Sequence, residues 1–328
     1  MNQIRRIAVI DIGTVTTRLL VADVGPGSIT EIERRTDITH LGENLTVSGT
    51  LSREAIERVT EVVGTYARVI ASLGVQRTNA ITTSASRDAD NANELIDALA
   101  AYGVALRVIG GDQEARLSFA GAAWSVMGEG LLVIDVGGGS TELILGSSRT
   151  DDEGLRRADI EAMRSVDVGS RRISEMFLHG DPPAPRELED ARGYIAEALR
   201  PFFDALRTKP RTMVALAGAA TTFSAIELGL AEYDAAAVHL SCLRGPQLSD
   251  SIESLAALPL AKRREVAGLH PKRAAVIVGG GLVIETALAL AGLDSTLVSE
   301  HDILYGILLD TYRDLRRDAE SDAQVRGV

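Results

Sequence analysis

The chain has 328 residues, 45% hydrophobic and 24% charged, with a formal net charge of -12 and one cysteine, Cys242. This predicts a soluble globular protein of two ordinary-sized domains and excludes an intrachain disulfide framework or a cysteine-rich zinc or iron-sulfur site. No apolar run approaches the ~18 residues of a membrane span, the N-terminus lacks a signal-peptide core, and the acidic balance argues against a general nucleic-acid binder, so a cytoplasmic protein is expected.

The first element is a hairpin, IAVIDIGTVTTRLLVADV (7–24), in which an apolar strand ends in Asp11 and a small-residue turn leads into a second strand. A strand is expected at 29–35, an amphipathic helix from an N-cap at Ser52 to about Leu73, a strand near 78–83, a helix from about Asn91 to Tyr102 and a strand at 104–109. Gly110 and Gly111 open a helix, GDQEARLSFAGAAW. It delivers the chain to LLVIDVGGGSTELILG (131–146), which repeats the plan of the first hairpin. Then come a strand near 161–167, a helix from Pro185 to about Leu206 and a strand at 212–217. Two strand-glycine units, 214–230 and 276–293, each run into a helix and present helix N-termini suited to anions. Residues 234–271 read as a helical insertion, and the last dozen residues as a charged, frayed end.

Asp11 and Asp135 lie 124 residues apart, about one domain length, so the paired hairpins predict two related domains, 1–123 and 124–328. A P-loop or Rossmann glycine cluster is followed by a long helix. Here STELILG and TTRLLVAD read as strands, so both glycine clusters are hairpin turns. Two such turns facing one cleft bring backbone amides within reach of phosphate oxygens, because glycine and short hydroxyl residues leave the backbone accessible. Carboxylates at the strand ends, Asp11 and Asp135, suit Mg²⁺ bridging to phosphate.

Each of these residues also has a plainer reading. An Asp before a turn is most often a turn former, and Glu114 in a first helical turn simply complements the dipole. Arg87 and Arg116 read as solvated surface arginines, and His239, His270 and His301 lack metal-ligand spacing.

The segments VIDIGTVTTRLL, TTSASRDADN, GDQEARLSF, VIDVGGGSTE, VDVGSRR, HPKRAAVIVGGG and VSEHDILYG resemble the exopolyphosphatase and guanosine pentaphosphate phosphatase family. That family lies within the actin, sugar-kinase and heat-shock ATPase superfold, two RNase H-like α/β domains with a mixed sheet each and a cleft between them. The resemblance implies Mg²⁺-dependent hydrolysis of a terminal phosphoanhydride. Glu114 becomes the acid that activates water. Asp135 and Glu142, with Asp11 opposite, become the metal- and water-positioning carboxylates. Gly137, Gly138, Gly139, Ser140 and Thr141 line one phosphate loop and Gly13, Thr14, Thr16 and Thr17 the other, with Arg87 and Arg18 as phosphate-binding arginines. Further candidate cations are Arg116, Arg172 and Lys272.

The same resemblance implies a homodimer, a C-terminal helix returned to the first domain, inorganic polyphosphate as substrate, and limited processivity typical of the short, two-domain branch. Two segments depart from the family pattern. Asp11-Ile12-Gly13-Thr14-Val15-Thr16 stands where D-x-G-S-N-S is common, and SEHDILYG where S-x-x-G-x-R-E-G is common, which puts individual substrate contacts in question. Guanosine pentaphosphate is the alternative substrate, since it too ends in a phosphoanhydride. A small-molecule kinase and a non-enzymatic phosphate-chain sensor are the readings from other classes. The single cysteine excludes the zinc motif of one sugar-kinase branch, and intact Glu114, Asp135 and Glu142 count against a sensor.

Overall fold

The computed structural model describes residues 4–150 and 156–326. Strands β1 (Arg5–Ile12), β2 (Thr16–Gly25) and β3 (Ser28–Ile38) form an antiparallel meander. There follow α1 (Leu45–Ser48), α2 (Arg53–Ser72), β4 (Arg77–Thr82), α3 (Ser84–Asp88), α4 (Ala92–Ala100) and β5 (Leu106–Val108). Ser52 caps α2, its Oγ accepting from the Ala55 amide at 3.1 Å. Helix α5 (Gly111–Ser125) leads to the second meander, β6 (Gly128–Val136), β7 (Thr141–Thr150) and β8 (Arg156–Val166). The remainder is α6 (Ser170–Phe177), α7 (Pro185–Asp204), β9 (Thr212–Leu216), α8 (Ala217–Glu227), α9 (Ala235–Val238), β10 (Ser241–Arg244), α10 (Gly245–Ala256), α11 (Leu260–Arg263), α12 (Ile277–Ala291), β11 (Ser295–Val298) and α13 (Ile303–Arg326).

Among the described residues the strands make two mixed sheets, β3-β2-β1-β4-β5 and β10-β11-β9-β6-β7-β8. The run β8-β7-β6-β9-β11 has the order and strand directions of the whole first sheet. The repeat of the hairpin motif is therefore a repeat of topology. Both central strands are covered on two faces, which explains why they read as continuous apolar runs.

Alternation sets which residues face which layer. In β1, Ala8, Ile10 and Ile12 pack toward α2 and α4, while Ile7 and Val9 face the layer of α5 and α13. In β6, Leu132, Ile134 and Val136 join the core beneath α7 and α12, while Leu131 and Val133 pack on Ala115, Phe119 and Ala122 of α5. Continuing each series by two residues turns Asp11 and Asp135 toward the same layer, that of α5.

Helices α5 and α13 cross with their backbones in contact. A Cβ on Gly121 would lie 1.8 Å from the Asp302 carbonyl oxygen, and one on Gly306 1.9 Å from that of Leu117. From this crossing α13 lays Ile303, Leu304, Ile307 and Leu308 over Ile7, Val9 and Leu20.

Three sequence expectations are corrected. Residues 276–281 form no strand: the three glycines lie in α12, where Gly279 meets the Ser170 carbonyl and Gly281 the ring of Phe223. Segment 234–271 is not wholly helical, because β10 pairs antiparallel with β11 and finishes the sheet edge. The C-terminal segment continues α13 to Arg326. Among the described residues, no helix is long and apolar enough to cross a membrane.

Candidate active site

The two hairpin turns meet tip to tip over a cavity of about 90 Å³. Each turn closes in the same way, Gly13 N–H donating to Thr16 O at 2.9 Å and Gly137 N–H to Ser140 O at 3.0 Å. The amides of Thr14, Val15, Gly138 and Gly139 have no acceptor among the described residues. Thr14, Val15, Gly138 and Gly139 are buried, and an amide in such a place calls for an acceptor from a ligand or water. Gly138 and Gly139 are small chiefly because the facing turn and α3 fill their space: added Cβ atoms would lie 2.7 Å from Thr14 Cβ and 2.3 Å from Ser84 Oγ.

Four carboxylates converge here from four elements, β1, β6, β7 and α5. Asp11 and Asp135 end β1 and β6; in the antiparallel ladders Asp11 faces Arg18 and Asp135 faces Glu142. The two sheets thus carry an equivalent pair, with arginine in one and glutamate in the other. Glu114 comes from the first turn of α5. One turn on, and on the same face, Ser118 Oγ donates to Asp135 Oδ2 at 2.6 Å. Glu114 is 8% exposed, unlike a helix-dipole acid in solvent, and it accepts from Arg87 Nη1 at 2.6 Å.

The structure places the predicted residues in two groups. Asp11, Gly13, Thr14, Thr16, Arg18, Glu114, Asp135, Gly137, Gly138, Gly139 and Ser140 line the cavity. Arg87 and Glu142 stand one layer behind it. Arg87 reaches Glu114 and, at 3.4 Å, Ser140 Oγ; Glu142 Oε1 accepts from Ser140 Oγ at 3.0 Å and Ser165 Oγ at 2.8 Å. Thr17 and Thr141 are turned away from the cavity, correcting their place in the phosphate loops. They pair with Ile12 and Val136, one residue out of phase with Asp11 and Asp135, so alternation sends them to the other face. There the Thr17 hydroxyl bonds that of Thr39 at 3.0 Å and the Thr141 hydroxyl donates to Val168 O.

Some site residues had no separate signal in the sequence. Asp302 accepts from Arg18 Nη1, while Arg18 Nε and Nη2 donate to Asp11 Oδ2 at 3.0 and 2.6 Å. The cation beside the cleft is Arg273, where the sequence pointed to Lys272. Its Nη1 donates to Gly218 O at 3.2 Å and Thr222 Oγ1 at 3.0 Å, and it lines the cavity. Arg116 is exposed on α5. Ala217, at the β9–α8 corner, holds φ 65 and also lines the cavity. A left-handed non-glycine residue costs about 1–2 kcal/mol, and such strain clusters at functional sites.

The electrostatics follow from burial. Burial pushes the Glu114 carboxyl up to about 7, against the opposing pull of Arg87. Asp135 is pushed up to about 6 by burial, opposed by its Ser118 hydrogen bond, and Glu142 well above the carboxylate range by burial and then by the charges of Glu114 and Asp135. Asp11 is likewise raised by burial, against Arg18.

These raised values carry a stability consequence. A carboxyl that binds its proton more tightly folded than unfolded contributes stability that is full below the unfolded pKa and lost as pH rises through the folded value. In EDTA, the melting temperature is therefore expected to fall between about pH 6 and pH 8 as these groups ionise. Glu142→Gln is expected to raise it at pH 8 by roughly 2–5 °C. Calorimetry at both pH values checks this, and a lower melting temperature for the variant at pH 8 would contradict it.

The profile of the Ppx/GppA phosphatase family matches residues 20–312. Exopolyphosphatase 2 of Mycobacterium tuberculosis is 39% identical over 324 aligned residues, covering 93% of this chain and 98% of that protein. A crystal structure of an exopolyphosphatase-like protein superposes with a TM-score of 0.88 at 32% identity, covering 95% of this chain and 99% of that one. The family member from Aquifex aeolicus gives 0.78 at 28% identity, again covering 95% and 99%. The family match covers most of the chain, and by it this chain belongs to the Ppx/GppA phosphatase family, with that family's doubled α/β fold.

Proposed function

We propose that the protein is an exopolyphosphatase that removes the terminal phosphate of inorganic polyphosphate. The observation that carries this reading is the pairing of two opposed turns, whose buried residues have amides without acceptors among the described residues, with a buried carboxyl, Glu114, whose pKa of about 7 suits a base at neutral pH. Phosphoryl transfer from an anhydride asks for positioning and charge neutralisation more than for covalent chemistry. In this reading the turns hold the terminal phosphate and Arg18 offsets its charge. Glu114 takes a proton from water as the water oxygen bonds to phosphorus. The bridging P–O bond breaks, and the shortened chain leaves with its electron pair.

The donor set fits Mg²⁺. Asp11, Glu114, Asp135, Glu142 and Asp302 give five carboxylates around three guanidiniums, those of Arg18, Arg87 and Arg273. Among the described residues no three metal-ligating side chains form a cage, and Mg²⁺ characteristically takes one or two carboxylates with water and substrate oxygens. Asp135 Oδ1 accepts no hydrogen bond among the described residues and is the first ligand in this proposal, with Asp11 and Glu142 acting through water. When bound, the ion supplies charge stabilisation at the phosphate oxygens. The two sheets are proposed to mark two domains, 1–123 and 124–328, with a homodimer as the working assembly in the cytoplasm.

A second reading, hydrolysis of guanosine pentaphosphate, is favoured by one observation. A cavity of about 550 Å³ adjoins the first through Arg18, Ala217, Gly218 and Arg273, and its wall includes Tyr233 and Leu269, so it has room for a nucleoside. Phosphate release from long-chain polyphosphate and from guanosine pentaphosphate, measured side by side with Mg²⁺, decides between them. The expected result is the higher kcat/KM for polyphosphate. A higher value for the nucleotide would select the second reading, and ATP consumption that depends on an added sugar would overturn both.

A further inference from the structure

The turn tips separate the central cavity from one more space. A third cavity, of about 200 Å³, shares Thr14, Ser84, Gly138 and Gly139 with the first. On its far side are Thr46, Asp88, Arg171 and Arg172, with Thr46 and Asp88 exposed at the rim. The three cavities thus follow one another: the large one beside Arg18 and Arg273, the small one between the turns, and this one behind the turns.

We propose that this third cavity is the exit path and a transient binding site for the orthophosphate product; the proposal rests on the hydrolase reading above. The fragment cleaved at the turn tips is the innermost part of the substrate. The rest of the chain or nucleotide extends toward the large cavity and fills the way by which it entered. Orthophosphate therefore leaves behind the turns or waits for the larger product to depart.

The partition is suited to passing an anion. It is made of two glycine backbones and the side chains of Thr14 and Ser84. At Gly139 the partition is closed by side-chain hydroxyls, since a Cβ there would lie 2.3 Å from Ser84 Oγ and 3.1 Å from Thr14 Oγ1. Rotation of two short hydroxyl side chains is the motion required, and both hydroxyls bond to phosphate oxygens as donors.

The far side carries the receiving charge. Arg171 is 7% exposed, and its buried Nε has no partner among the described residues. Its Nη1 donates to Glu175 Oε1 at 3.0 Å and its Nη2 bonds His40 Nδ1, so the guanidinium is fixed in place by its other end. Arg172 Nε donates to Gly139 O at 2.8 Å, and Asp88, the one carboxylate lining this cavity, is held by Arg172 Nη2. Each arginine has a carboxylate partner, Glu175 for Arg171 and Asp88 for Arg172, but Glu175 lies outside the lining, so the cavity wall itself carries two cations and one acid.

The test narrows the rim without touching the turns. Thr46→Trp is compared with Thr46→Ala and wild type on polyphosphate, with cleavage read by rapid quench and free phosphate by a fluorescent phosphate sensor. The expected result for Thr46→Trp is unchanged single-turnover cleavage, a burst of bound phosphate and a steady-state kcat about fivefold lower, because release becomes limiting. Thr46→Ala is expected to match wild type. If release keeps pace with cleavage in Thr46→Trp, or if Thr46→Ala shows the same burst, the exit proposal is overturned while the hydrolase reading stands. A wild-type protein that releases no phosphate from polyphosphate overturns both.

Discussion

Replacing Glu114 by Gln is expected to lower kcat by about 10³-fold, roughly 4 kcal/mol in the barrier, while tripolyphosphate binding stays within about twofold of wild type. Gln keeps the shape and can still accept from Arg87, whose Nη1 sits 2.6 Å from the present carboxylate. It cannot take a proton from water. The buried charge is also removed, so the variant has no reason to lose stability. Rapid-quench kinetics and calorimetric titration with tripolyphosphate separate the two quantities. Turnover equal to wild type would remove Glu114 from its role, and a parallel loss of binding would make it a structural partner of Arg87.

Arg87→Met is expected to lower kcat/KM near pH 7 by about 5- to 10-fold through its effect on Glu114. Arg87 is the cation that opposes the burial of that carboxyl, so its loss raises the Glu114 pKa further above about 7. A base is active only when deprotonated. The acid limb of the pH profile should therefore move upward by about one unit or more, with part of the lost activity recovered at alkaline pH. Profiles of kcat/KM from about pH 6 to pH 9.5 test this, with Arg87→Lys expected to lie between wild type and Arg87→Met. A uniform loss with the limb unmoved would mean that Arg87 acts on substrate phosphate and not on Glu114.

Much of the fold was legible because its signals are local. The helix that starts at Ser52 has its N-cap, the strands of both hairpins have their apolar runs, and the turns have their small residues. The misreadings share a cause. The glycines at 279–281 read as the end of a strand-glycine unit, yet they serve close packing inside α12 against α6 and Phe223, and a sequence does not show what lies across from a helix. Strand β10 has four residues and gains its identity only from pairing with β11. Thr17 and Thr141 were placed with the turn residues beside them, but one step of strand register put them on the opposite face.

The sequence by itself determined the doubled hairpin, its two aspartates and the acid that opens α5, because strand periodicity, turn chemistry and internal repetition are written within a few residues. Tertiary structure decided how these are used. It set Ser118 against Asp135, Arg87 against Glu114, and Asp302 against Arg18 across 284 positions of chain. It also chose Arg273 over its neighbour Lys272. Burial depends on packing between distant elements, and burial is what turns an ordinary glutamate in a first helical turn into a group with a pKa of about 7.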